Sequence, residues 1–369
     1  MAEVQVHTAG GEYTVYIGRR VYEGELVETM RRLRPGKTAI LSHPSIDRMH
    51  GRRLRAAVAA LPSTAAEPLS FLFPEGEEHK NLQTLEKAYV ALLSGGIARE
   101  DVVLAFGGGV VGDLAGFAAS TYMRGIRFLQ IPTTLMAMVD SSVGGKVGVD
   151  LPGAKNAVGS FYQPQAVISD LEVLDTLPER ELRSGLAEVV KYGFLYDENI
   201  LETMEGWTAG MPKAAAELED LIARCVEHKA RVVTLDELDL RGERAMLNYG
   251  HTFGHALESA AGYGRLRHGE AVAMGMLMAA RASEMSGLAG SGLMEMHRKA
   301  ILPVLGEVRL PSDLGPKRIL ADMQADKKKT RGLRFVLLEG PRKPHLVESL
   351  SEEIVRKAVR ETLEELKEG

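Results

Sequence analysis

The chain has one cysteine, Cys225, in 369 residues. One thiol closes no internal disulfide and builds no thiolate zinc site, so any metal here draws on histidines and carboxylates. No apolar run reaches the roughly 18 residues that a membrane span requires. The opening MAEVQVHTAG has neither the basic nor the apolar region of an export signal. Basic residues are spread along the chain and the formal net charge is −5, which leaves no electrostatic footprint for nucleic acid. These absences lead us to expect a cytoplasmic protein that acts on neither membranes nor nucleic acids.

What is present suffices for about two domains, since 45% of the residues are hydrophobic, as in chains that bury real cores. From residue 13 to about 170, short β-rich runs (YTVYI, TAILS, SFLF, DVVLAF, IRFLQIP, AVISD) alternate with helix-length amphipathic segments. That alternation predicts parallel β-α units. Beyond LDTLP at 174–178 the pattern turns to long helical stretches at 179–194, 214–234, 244–261, 269–286 and 352–367, with one strand candidate, LRFVLL, at 333–338. The expected organisation is an α/β domain over residues 1–176 and a mainly helical domain over 177–369.

VVLAFGGGVVGDLAGFAAS, residues 102–120, reads as a buried strand, a glycine turn and a helix. In that layout backbone N–H groups approach a phosphate at a helix N-terminus. Gly107, Gly108, Gly109 and Gly112 are the candidates, although glycine turns also serve packing alone. PEGEEHK, just ahead of a helix, offers Glu77 and Lys80 to a ribose or phosphate; its plainer reading is a charged helix start. MVDSSVGGKVGVD sets small residues around Lys146, and AKNAVGSFYQP adds Lys155 and Asn156. The small residues let a ligand come close, and the lysines and amide suit phosphate or carboxylate. A solvated loop is the alternative.

LNYGHTFGHALE, residues 247–258, carries His251 and His255 four residues apart. A zinc-protease helix would place Glu directly after the first histidine; Thr252 stands there instead. If residues 244–258 form one helix, Arg244, Asn248, His251 and His255 share a continuous face. Glu188 and Lys191 share another face in SGLAEVVKYG, and His268 stands at the mouth of an apolar helix in RHGEAVAMGM. Glu188, His251 and His268 would make a two-histidine, one-carboxylate zinc site with an open position. Spacing alone leaves open whether the three converge.

Taken in order, GGGVVGDLAGFAAS, YMRGIRFLQIPTTLMAMVDSSVGGKVGVD, KNAVGSFYQP, GLAEVVKYG, NYGHTFGHALE and HGEAVAMGM resemble the 3-dehydroquinate synthase family over residues 70 to 340. The resemblance implies a Rossmann-like, NAD-binding α/β domain followed by a mainly α-helical metal-binding domain. It implies a homodimer that takes 3-deoxy-D-arabino-heptulosonate 7-phosphate, a sugar phosphate, to 3-dehydroquinate and phosphate. The family's route is transient NAD-dependent oxidation, phosphate elimination, reduction, ring opening and intramolecular aldol closure, in the shikimate pathway of aromatic amino acid biosynthesis.

Carried over by position, the divalent metal, zinc or cobalt, falls on Glu188, His251 and His268. Substrate contacts fall on Asp140, Lys146, Lys155, Asn156, Lys191, Arg244, Asn248, His255 and a lysine of the DKK run at 326–328, Lys328 ahead of Lys327. Lys146, Lys191, Arg244, Asn248 and His255 are the catalytic candidates among them. Arg124 would reach the phosphate bound by the neighbouring subunit. The NAD set is Glu77, Lys80, Gly108, Gly109, Asp113, Thr133, Thr134, Thr176 and Leu177, with Asp140, Lys146 and Lys155. Three rival readings are a related cyclase whose substrate lacks a carboxylate, a plain NAD-dependent polyol dehydrogenase, and an inert binding or scaffold protein of this fold, against which the intact Glu188, His251, His268 and Lys191 speak. Arg244, Asn156 and the DKK lysine suit a carboxylate and weigh against the first; the lysines and Arg124 have no use in the second.

Overall fold

A computed structural model describes residues 1–61, 67–207, 215–262, 264–308, 310–330 and 333–368, without the side chains of 215, 325–330 and 368. Met1–Pro178 with Glu219–Leu238 make one compact unit, and Glu179–Leu218 with Asp239–Gly369 make the other.

The first unit is built on seven strands: β1 (Ala2–Thr8), β2 (Gly11–Gly18), β3 (Thr38–Ser42), β4 (Leu69–Leu72), β5 (Val102–Gly107), β6 (Arg127–Pro132) and, after a hairpin, β9 (Ala166–Asp170). Their order across the sheet is β1-β2-β9-β6-β5-β3-β4, parallel except for β1, which pairs antiparallel with β2 at the edge. Each β-rich run noted above is one of the six parallel strands; only β1 lies outside those runs. β3, β5 and β9 are buried along their whole length, as expected of parallel strands with both faces covered. The chain leaves β3 toward β4 on one side and β5 toward β6 on the other. The sheet therefore changes direction between β3 and β5, where doubly wound sheets open a crevice at the carboxyl ends of their strands.

The lysine-bearing stretch is no open loop. Lys146–Leu151 (β7) and Ala154–Phe161 (β8) pair as an antiparallel hairpin. Gly116 on the Gly109–Thr121 helix explains how this hairpin is seated: a Cβ there would lie 2.4 Å from Val147 Cγ1.

The second unit is mainly helical, with a small β10 (Phe335–Gly340) and β11 (Lys343–Val347) hairpin. Its central element is the His268–Met285 helix, apolar almost all round and correspondingly buried. Glycines bring its neighbours close. A Cβ on Gly269 would sit 1.9 Å from Ser184 O, and one on Gly275 would sit 2.1 Å from Gly250 O.

The expectation of one helix across 244–261 fails. Arg244–Asn248 is a separate 3-10 turn, Gly250 has φ +79, and the α-helix starts at His251 and ends at Ala261. The break has a tertiary cause, because Gly250 lies against the Val272 carbonyl, 2.8 Å from where a Cβ would be. Arg244 and Asn248 therefore do not continue the helical face of His251 and His255.

Candidate active site

In the first unit, β5 ends in Gly107 and the Gly109–Thr121 helix starts behind Gly108, which offers no capping side chain. The first-turn amides are thus left for a ligand, and the helix dipole favours an anion there. A Cβ on Gly108 would come 3.2 Å from Thr134 Cγ2, and one on Gly109 would come 3.1 Å from Ser141 Oγ, so glycine keeps this cradle open. Thr133 donates its N–H to Gly107 O at 3.0 Å. Its buried hydroxyl has no hydrogen-bond partner among the described residues. A buried, unpaired hydroxyl beside an open helix N-terminus fits a polar ligand such as a pyrophosphate.

Lys80 is buried next to this turn's helix. Its Nζ lies 2.5 Å from Asp113 Oδ2 and 2.5 Å from Asn156 Oδ1. Burial alone would lower the lysine pKa, but Asp113 and then Glu77 outweigh it and hold the ammonium charged above its usual value. Asn156 has φ +51 inside β8 and gives its N–H to Asp150 Oδ1 at 2.6 Å. A left-handed residue within a strand is the kind of strain that marks functional sites. Lys146, at the start of β7, is exposed, and Lys155 is half-buried.

Asp140 meets a residue not singled out from the sequence. Lys229 Nζ sits 2.5 Å from both the carbonyl and Oδ1 of Asp140. The signal was available: Lys229 falls on the apolar stripe of its helix with Ile222, Cys225, Val226 and Val233, an odd place for an ammonium without a partner. Of the remaining positions, Thr134 Oγ1 accepts from Ala137 N, and Thr176 Oγ1 is 2.8 Å from His50 Nε2. Leu177 caps the turn over Leu171–Thr176. Arg124 is exposed with φ +65, between Met123 at +49 and Gly125 at +115.

In the second unit, Glu188, His251 and His268 do converge, each offering one ligand atom within 4.8 Å of the others. Glu188 Oε1 is 3.6 Å from His251 Nε2 and 3.8 Å from His268 Nε2. These separations are too long for hydrogen bonds. They are close to the about 3.4 Å that separates tetrahedral ligands bound at about 2.1 Å to a common ion. Glu188 is fully buried, and Oε1 has no hydrogen-bond partner among the described residues, as a carboxylate shaped for a cation would be. Its Oε2 is ion-paired with buried Lys191.

Both histidines are oriented from behind. His251 Nδ1 donates to Tyr249 O at 3.2 Å, which leaves the Nε2 lone pair facing Glu188. Burial first, then the Lys191 ammonium, hold the His251 pKa well below the ordinary value, so the ring is neutral and able to ligate. His268 Nδ1 lies 3.5 Å from Glu258 Oε2, a carboxylate behind a metal-facing histidine that the sequence reading missed. His255, one turn past His251, is exposed, its ring 5.4 Å from that of His251. It is not part of the Glu188 set. Arg244 is buried and Asn248 closes the same 3-10 turn. The Lys328 side chain lies outside the described residues.

Comparison with known proteins agrees with this geometry. Residues 70–184 match the family model for the 3-dehydroquinate synthase N-terminal region, and residues 185–329 match the C-terminal one. A 3-dehydroquinate synthase of Pelobacter propionicus is 47% identical over 83% of this chain and 84% of its own. One of Bordetella pertussis is 44% identical over 99% of both. Among solved structures, a 2-deoxy-scyllo-inosose synthase complexed with carbaglucose-6-phosphate, NAD+ and Co2+ superposes with TM-score 0.88 at 27% identity, over 98% of this chain and 99% of that one. A 2-epi-5-epi-valiolone synthase of Streptomyces hygroscopicus with NAD+ and Zn2+ superposes with TM-score 0.84 at 25% identity, over 96% and 97%. Matched over 83–99% of its length by these relatives and carrying the Glu188, His251 and His268 cluster, the chain belongs to the 3-dehydroquinate synthase family.

Proposed function

We propose that this chain is a phosphate-eliminating carbon–oxygen lyase that converts 3-deoxy-D-arabino-heptulosonate 7-phosphate into 3-dehydroquinate and inorganic phosphate. The observation that carries the reading is the buried carboxylate of Glu188 facing two imidazole nitrogens, with the Lys191 ammonium on its other oxygen. Relatives 44–47% identical bear the name of this activity. Residues 1–176 act as the NAD-binding region and 177–369 as the metal- and substrate-binding region.

When bound, NAD supplies a reversible oxidant for one substrate hydroxyl, and zinc or cobalt on Glu188, His251 and His268 supplies a Lewis acid. The open Gly108–Gly109 turn and the Thr133 hydroxyl hold the dinucleotide's phosphates, with Glu77, Lys80, Asp113, Thr134, Thr176 and Leu177 around it. Lys146 and Lys155 balance the negative charge of the substrate phosphate as it leaves. Arg124, on its strained exposed turn, adds a guanidinium to the site of a second subunit in a homodimer. Arg244, Asn248, Asn156 and Lys328 recognise the substrate carboxylate, a planar anion that a guanidinium matches in two bonds. Asp140 holds the Lys229 ammonium beside it. Lys191 lies against Oε2 of Glu188 and balances its charge, and the exposed imidazole of His255 carries protons. After elimination the residues' main task is to hold a reactive chain in one geometry until the ring closes.

The rival substrate is a sugar phosphate without a carboxylate, as the carbaglucose-6-phosphate in a structural relative suggests. Identity favours the first reading, 44–47% against 25–27%. The test supplies metal-loaded protein with a trace of NAD and either 3-deoxy-D-arabino-heptulosonate 7-phosphate or glucose 6-phosphate. Many phosphates released per NAD from the heptulosonate alone, without accumulation of NADH, supports the proposal. Release from glucose 6-phosphate alone, or steady NADH production from a polyol, overturns it. The reaction is that of a cytoplasmic biosynthetic enzyme; export of the chain in its own host would contradict that placement.

A further inference from the structure

His297 is fully buried on the Leu293–Leu305 helix and belongs to none of the sets above. Its Nδ1 lies 2.7 Å from Leu293 O, which can only accept, so Nδ1 carries the proton. Nε2 is therefore an acceptor, and the Tyr249 hydroxyl 2.7 Å away donates to it. The ring also stacks on Phe194, centroid to centroid 3.6 Å at 9°. Phe194 is on the Glu179–Leu195 helix that carries Glu188. One side chain thus ties together that helix, its own helix, and the Tyr249–Gly250 break from which His251 emerges.

That break makes the tie consequential. Tyr249 has φ −55 and ψ 126, outside the helical region, so helix geometry does not aim its carbonyl. Yet this carbonyl receives the Nδ1 proton of His251 and thereby directs His251 Nε2. Tyr249 is itself fully buried, and its hydroxyl meets His297.

We propose that His297 is a positioning residue for the metal site: by accepting the Tyr249 hydroxyl it holds the Tyr249 carbonyl on His251 Nδ1, and so aims His251 Nε2 at the ion. The inference rests on the reading of Glu188, His251 and His268 as metal ligands. Burial lowers the His297 pKa to about 4, so its Nε2 lone pair stays available to Tyr249 at neutral pH.

The test loads parent and variant proteins with Co(II) and reads the dissociation constant and the visible ligand-field spectrum, which reports ligand geometry. His297→Phe keeps a ring over Phe194 but loses the acceptor. Its cobalt affinity is expected to fall by roughly 10- to 100-fold, the usual scale for groups behind a metal ligand, with an altered spectrum. His297→Gln, whose amide oxygen reaches toward the Nε2 position, restores most of both. A merely structural role would lower the unfolding midpoint while leaving spectrum and affinity at parent values, and that result overturns the proposal. If His297→Phe does not fold, the double variant Tyr249→Phe, His297→Phe leaves no orphaned polar atom and is read the same way. A parent that binds no cobalt overturns the metal reading along with this inference; a parent that binds it, beside unchanged variants, overturns the inference alone.

Discussion

The ammonium of Lys80 is held 2.5 Å from Asp113 Oδ2, and Lys80 is only 4% exposed. The pair links the Glu77–His79 turn to the helix behind the glycine turn. Removing one partner of such a pair strands the other charge, which costs more than the pair itself contributes. Lys80→Met should destabilise the protein by about 3 kcal/mol in urea unfolding, the low end for a buried pair because the Asp113 side chain keeps 19% of its exposure. Adding Asp113→Leu should recover most of that loss. A single variant as stable as the parent would mean that the contact is not an ion pair in solution.

Glu188→Gln keeps the shape of the side chain and removes its charge. Metal retained after dialysis against buffered free zinc should drop, with affinity weakened by at least about 100-fold, beyond the scale of groups that only support a ligand. Full metal content in a folded Glu188→Gln protein would exclude Glu188 as a ligand.

Gly269 is where the His268–Met285 helix presses on Ser184 O, with 1.9 Å available to a Cβ. The obstacle is backbone and cannot rotate away. Gly269→Ala should therefore cost about 2 kcal/mol or more of stability. It should weaken metal binding too, because His268 begins one of the two helices and Glu188 lies on the other, one turn past Ser184. Gly290→Ala, which meets nothing within 4 Å, is the control and should stay within about 0.5 kcal/mol of the parent. Equal behaviour of the two would show that the helices separate at little cost.

Acid should act through His297. Its pKa is lowered by burial from the usual 6.5 to about 4 in the folded chain. A base whose pKa falls on folding contributes stability that is present above the unfolded value and is lost as pH falls toward the folded one. The window runs from about pH 6.5 down to about pH 4, and the full loss is about 3 kcal/mol. Measured with chelator in both samples so that metal ligands cancel, the parent should lose that much more stability across the window than His297→Gln. Parallel curves would show that His297 is accessible to protons in the folded state.

Much of this molecule is written locally. YTVYI, TAILS, SFLF, DVVLAF, IRFLQIP and AVISD became parallel strands because β-branched and aromatic runs of four to seven residues, separated by amphipathic helices, have few other ways to bury both faces. The helices at 179–194 and 269–286 appear within a residue or so of their expected ends for the same reason. The lysine-rich stretch was harder. Its glycines and charges read as a loop, whereas pairing between β7 and β8, with Val147 against Gly116, makes it a hairpin. No local pattern announces a contact with a helix some thirty residues earlier.

Glu188, His251 and His268 were legible as residue types, since two imidazoles and a carboxylate in a chain with one cysteine are the available ligands. Their convergence was not derivable from spacing. Spacing suggested a single helical face from Arg244 to His255, and the chain breaks that helix at Gly250. The carbonyl of Val272, on another helix, crowds that point until only a left-handed glycine fits. Periodicity is a property of neighbours along the chain and so could be read before folding. The aim of His251 depends on Tyr249, Phe194 and His297, which lie as many as a hundred residues apart, and only close packing of their helices brings them together.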